Sequence, residues 1–146
     1  MKKTSVIYEV VVLLFIAMFL YAAFSKLFLF ELYKAQLDTQ PFDDSLTPFL
    51  AVAIPSVEIL VSLLLIIPKT RAWGLHLSTS LMVIFTGYII LIKLHYFGKV
   101  PCSCGGVISQ FTWIQHLWFN LFFLIGGIAA ILSNRKLVSN ERPVAN

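Results

Sequence analysis

"VVVLLFIAMFLYAAFSKLFLF", Val10–Phe30, is a continuous apolar run carrying one charge, Lys26. A bilayer-spanning helix needs about 20 predominantly apolar residues, and this run supplies them. It is too long for the apolar core of a secretory signal, and no small-residue cleavage site closes it. It is therefore expected to be a retained transmembrane helix. Three more stretches share its character, giving expected spans at about 7–30, 47–67, 72–97 and 111–133. Backbone in lipid must satisfy its own hydrogen bonds, and these lengths suit helices rather than barrel strands. The connections are short, so neighbouring helices are expected to run antiparallel. The expected fold is all-α, a four-helix transmembrane bundle forming one domain over residues 1–146, with a polar tail over 134–146.

The composition agrees. The chain is 59% apolar and 12% charged, against roughly 45–50% and about 25% for an ordinary soluble domain. The net charge of +4 is no argument for nucleic acid, because the basic residues form no dense stripe with interleaved aromatics. It is better read by position. Lys2 and Lys3 precede the first span, Lys69 and Arg71 lie between the second and third, and Arg135 and Lys136 follow the fourth. All three clusters fall on one side, which the positive-inside rule assigns to the cytoplasm. Both termini are then cytoplasmic. The Glu31–Leu46 connection and the loop after the third span face the periplasm or exterior. The expected location is a bacterial inner membrane, crossed several times.

Glu31–Leu46 is too polar to span. Phe30, Leu32, Tyr33, Leu37 and Phe42 can rest on the membrane interface while the acids face water. A short interfacial helix ending before Pro41 and an ordered surface loop both fit this pattern.

The second outward loop, "KVPCSCGG" (Lys99–Gly106), holds both cysteines of the chain, Cys102 and Cys104. On an oxidising side of the membrane, paired thiols can form a disulfide. An i, i+2 pair closes only a small ring, and closure needs a turn, which Gly105 and Gly106 permit. So short a loop removes little chain entropy, so stabilisation is a poor reason for the bond. A strained, exposed disulfide tends instead to be labile or catalytic. His95, Lys99 and His116 flank the loop, and a histidine or lysine beside a thiol lowers its pKa and raises its reactivity. Two other readings stay open. The cysteines can be inert, or they can bind a thiol-seeking metal such as copper(I). Two ligands make an incomplete metal site, and Met1, Met18 and Met82 do not lie near the loop, so no metal site is assigned.

Lys26, Glu58 and Lys93 are ionisable residues within the spans and the candidate buried polar residues. Such residues usually face the bundle interior or snorkel to an interface. The two lysines lie near the outer ends of their spans. Glu58 is near the middle of the second, where snorkelling is difficult. It needs a donor, and Lys26, roughly two helical turns further out at about 1.5 Å per residue, is the candidate. Pro55 removes a backbone donor from the same helix.

These residues carry a resemblance. "YAAFSKLFLFELYKAQL" (Tyr21–Leu37), "AIPSVEILVSLLLIIP" (Ala53–Pro68) and "PCSCGG" (Pro101–Gly106) stand in the order small residues and Lys, Pro-x-x-Glu, Cys-x-Cys-Gly-Gly. In this the chain resembles the MauE/DoxX group of redox-associated membrane proteins. The resemblance implies a four-helix membrane protein in extracytoplasmic thiol–disulfide chemistry, with Lys26, Glu58, Cys102 and Cys104 at the family's functional positions. MauE-like members are associated with maturation of methylamine dehydrogenase, and DoxX-like members with quinone-coupled sulfur oxidation. Disulfide oxidases of related architecture use two cysteine pairs, whereas this chain has one. The leading expectation is a membrane thiol–disulfide redox protein. Cys102 and Cys104 would exchange electrons with an extracytoplasmic thioredoxin-like partner or cysteine-containing client, and a quinone would be a candidate electron acceptor. The rivals are a non-enzymatic assembly factor or oxidoreductase subunit, and thiol-based metal binding or transport.

Overall fold

The structure, a computed structural model, describes residues 6–98 and 111–140, with side chains as far as Arg135. It is built of α1 (Val6–Phe28), α2 (Phe30–Asp38), a 3₁₀ turn (Asp44–Leu46), α3 (Thr47–Ile66), α4 (Arg71–Lys93) and α5 (Trp113–Asn140). Among the described residues there is no strand. Four helices, all but α2, are long and apolar enough to cross a membrane. The chain is a multi-pass membrane protein whose lipid-facing helices carry exposed Leu, Ile, Val and Phe side chains.

Local chemistry sets the ends of the helices. Asp43 accepts a hydrogen bond from Ser45 N at 2.8 Å, and Pro48 occupies the first turn of α3, where a missing N–H does no harm. Ile67, just before Pro68, is extended at ψ 118°, because the proline ring disfavours helical backbone at the residue before it. The carbonyls this leaves at the end of α3 are met from the next turn: Thr70 Oγ1 donates to Leu64 O at 3.0 Å and Arg71 Nε to Leu65 O at 3.0 Å. α5 opens with a reciprocal cap. Thr112 N donates to Gln115 Oε1 at 2.9 Å and Gln115 N to Thr112 Oγ1 at 3.4 Å, the pairing of a capping box.

The long helices close into a ring in which α1 touches α3 and α5, and α4 touches α3 and α5. Consecutive spans are thus neighbours, and α2 lies against α3. The core centres on Phe15, Phe19, Leu65, Leu75 and Phe123. Phe15 lies 5.3 Å from Phe123, ring centre to ring centre. Four buried hydroxyls satisfy themselves within their own helices. Ser62, Ser78, Thr79 and Thr86 each donate to the carbonyl four residues earlier, at 2.6–2.8 Å. These side chains are accounted for by packing alone.

The structure corrects several expectations. Lys93 is exposed rather than a buried polar residue. It stands in the last turn of α4, where its long stem can carry the ammonium to water. α4 ends there and not at residue 97: Leu94–Gly98 form a turn with positive φ at His95 (56°) and Gly98 (71°). α5 continues beyond residue 133, to Asn140. The helix expected before Pro41 is α2, but Tyr33 and Leu37 turn inward and are buried instead of resting on the membrane interface.

Candidate functional site

Lys26 and Glu58 meet inside the bundle. Lys26 Nζ donates to Glu58 Oε1 at 2.8 Å and to Ala22 O at 3.4 Å. Only 8% of Lys26 and 4% of Glu58 is exposed. The lysine therefore reaches inward to the acid and does not snorkel. A mid-membrane carboxylate without a donor is strongly disfavoured, which is the physical reason for the pair. The Lys26 ammonium also lies 5.8 Å from the centre of the Tyr33 ring. Tyr33 is held over this corner by α2. Burial raises the pKa of its phenol above the ordinary tyrosine value, and the nearby Glu58 charge raises it further.

The pair forms part of the wall of a cavity of about 370 Å³. α1 contributes Met18, Phe19 and Ala22 beside Lys26, and α3 contributes Ile54 beside Glu58. Tyr33, Leu37, Gln40 and Phe42 cover it from α2 and the following turn. α4 supplies Met82, Phe85 and Tyr88, and α5 supplies Trp113, His116 and Asn120. Tyr88 Oη donates to Gln40 Oε1 at 2.6 Å, which ties the cover to α4. Two polar atoms of this wall, Glu58 Oε2 and Tyr33 Oη, are buried and have no hydrogen-bond partner among the described residues.

His116 is 96% buried in this wall, with its ring edge-on to Phe111 at 5.4 Å. The capping box sets the start of α5 and hence the position of His116, one turn in. His95 is exposed in the turn after α4 and does not line the cavity. Cys102, Cys104 and Lys99 lie outside the described residues. The segment that carries them joins the end of α4 to the start of α5, so it connects at the same end of the bundle as Trp113, His116 and Tyr88. Among the described residues no cluster of three His, Cys, Asp or Glu side chains could hold a metal ion.

A family model described as methylamine utilisation protein MauE matches residues 4–133. The chain belongs to the MauE family. The match covers all of α1 to α4, the cysteine segment and most of α5. No curated protein and no solved structure matches the chain. For this MauE-family protein, sequence reasoning reached Lys26, Glu58 and His116 but missed the cover. Tyr33 and Leu37, four residues apart, form the inward stripe of α2, and that i, i+4 spacing was the available signal. Met18 and Met82 were weighed only as metal ligands and instead line the cavity. Glu9, which pairs with Arg71 at 3.2 Å, was missed as well.

Proposed function

We propose that this MauE-family protein is a membrane thiol–disulfide redox protein serving methylamine utilisation, with Cys102 and Cys104 as the exchanging pair. The observation that carries this reading is that the family match runs through the Cys-x-Cys-Gly-Gly segment of a chain whose only two thiols lie there. The loop sits on the periplasmic side of a bacterial inner membrane. Its partner is a thioredoxin-like protein or a cysteine-containing client. In the oxidising direction a client thiolate attacks the Cys102–Cys104 disulfide. One sulfur of the pair leaves as a thiolate and a mixed disulfide forms. The client's second thiolate then displaces the other sulfur. The client leaves with a disulfide, and the pair holds the two electrons as dithiol. His116 and Lys99, with His95 as a further candidate, favour the thiolate form.

The cavity fits a quinone as electron acceptor, since it offers aromatic walls and a buried donor without a partner among the described residues, Tyr33 Oη, for a quinone carbonyl, while Glu58 Oε2 can accept from the hydroxyl of the reduced form. A quinone bound there would supply the uptake of two electrons and two protons. Alkylation of the purified protein with and without reductant tests the reading. A reversible mass shift of two thiols is expected. In a thiol-exchange assay Cys102→Ser and Cys104→Ser should each lose activity, and one should trap a mixed disulfide. Full exchange by the double Ser variant would refute the mechanism and leave the assembly-factor reading. A membrane-impermeant thiol reagent should label the reduced loop in intact spheroplasts, and labelling only after lysis would reverse the orientation.

A further inference from the structure

The bundle keeps two buried oxygens, Glu58 Oε2 and Tyr33 Oη, without partners among the described residues, at one corner of a cavity far larger than those oxygens need. A water takes up about 30 Å³ of liquid volume and makes about three hydrogen bonds, so one or two waters would serve Glu58 Oε2 and Tyr33 Oη. The cavity measures about 370 Å³, within the range of small-molecule sites. Its remaining wall is largely apolar, from Met18 and Met82 to Phe19 and Phe85. Apolar space of this size does not favour water, and a plain hydrocarbon would leave the two oxygens desolvated and unpaired.

We propose that this cavity is a binding site for a neutral, flat, ring-bearing molecule with a hydroxyl group, of the phenol class, whose hydroxyl is held between Glu58 Oε2 and Tyr33 Oη. The complementarity is specific. Glu58 already accepts from Lys26 through Oε1, so Oε2 is free to accept the ligand's O–H. Tyr33 Oη is a donor and can give its proton to the ligand oxygen. One hydroxyl answers both. Lys26 and Glu58 cancel in charge, so a charged ligand would enter without a counter-ion, which selects a neutral one. Glu58 lies eleven residues into α3, or about 16 Å along the helix. The site is therefore deep enough to enclose a ring beneath the α2 cover. The rings of Phe19, Phe85 and Trp113 offer faces and edges to that ring. The inference goes beyond the thiol reading and accommodates a hydroquinone as one member of the class. It does not require the cysteines.

The test is direct binding to the full chain in detergent micelles, with three redox-inert probes: 2-naphthol, 2-methoxynaphthalene and naphthalene. Only 2-naphthol has a donor. It should bind about tenfold or more tightly than the methyl ether, as a hydrogen bond to a charged group implies. Lys26→Met/Glu58→Leu replaces the pair by apolar side chains, an exchange that bundles often tolerate. It should bring the two oxygenated probes to equal affinity while naphthalene still binds. Tyr33→Phe should weaken both oxygenated probes several-fold and leave naphthalene unchanged. Cys102→Ser/Cys104→Ser should leave all three affinities intact, so failure of the thiol reading is separable from failure of this one. Equal affinities for naphthol and its ether in the parent would overturn the proposal in favour of a plain apolar slot. No saturable binding by any probe would overturn it in favour of a hydrated cavity. A naphthol preference that survives in the Lys26→Met/Glu58→Leu variant would remove Glu58 from the site.

Discussion

Among the described residues each end of the bundle carries one ion pair, and the two are used differently. Where α3 turns into α4, Arg71 reaches Glu9 of α1 at 3.2 Å, and the two side chains remain 24% and 39% exposed. The helices around this pair are in close contact: a Cβ on Gly74 would lie 2.9 Å from the backbone of Leu64 and Leu65. At the opposite end, where α2 covers the bundle, Lys26 and Glu58 are paired at 2.8 Å with side chains only 9% and 5% exposed. There the helices stand apart around a cavity. At the first end α4 is packed tightly on α3, and Thr70, Arg71 and Glu9 are engaged in holding the turn and joining α4 to α1. The second is open inside, and two of its buried oxygens have no partner among the described residues. A bundle that needed only to hold together would fill both ends. The difference separates a half packed closely around its ion pair from a half that holds its ion pair beside a cavity.

Four substitutions can break or sharpen this contrast, each read by thermal or denaturant unfolding in micelles. The largest effect is expected from Glu58→Leu, which strands the Lys26 ammonium. Losing one partner of a buried pair is worth about 3–5 kcal/mol, and Lys26→Met/Glu58→Leu should recover most of it. A double variant no more stable than Glu58→Leu would mean that the pair is needed for folding as such. Gly74→Ala should follow, at about 1–3 kcal/mol, the usual range for overpacking, because backbone and not a flexible side chain must move. A neutral Gly74→Ala would show that the filled end is looser than its geometry. Arg71→Gln should lie lower still, at about 1 kcal/mol, since partly exposed pairs contribute little and the lost bond to Leu65 O adds a similar amount. Tyr33→Phe should change stability least, within about 0.5 kcal/mol, because its hydroxyl has no partner to lose among the described residues. A marked loss there would mean that the hydroxyl is bonded in the folded protein and would weaken the ligand site.

The same contrast explains which features could be read in advance. The capped end was partly visible: Pro68 and Arg71 mark the turn, and the basic residues cluster there. The Lys26–Glu58 pair could be anticipated because a carboxylate at mid-span must find a donor. Lys93 could not be distinguished from Lys26 in the same way. Both sit near the end of a span, and only the facing of each helix turns one inward and the other outward. Tyr33 was hidden because α2 is short and polar overall, so its inward stripe is two residues long.

By itself the sequence determined the helical class, the four spans to within a few residues except at the far ends of α4 and α5, and the membership that its ordered motifs suggested. Length, hydropathy and proline placement are local properties, and the bilayer turns them directly into spans. Only the tertiary structure decided which side of each helix faces its neighbours, and with it the cavity, its α2 cover and the inward reach of Lys26. In water an amphipathic stripe announces the buried face of a helix. In lipid the outside is as apolar as the core, so the pattern along α1 and α3 carries little record of facing. The interior had to be found from the packing.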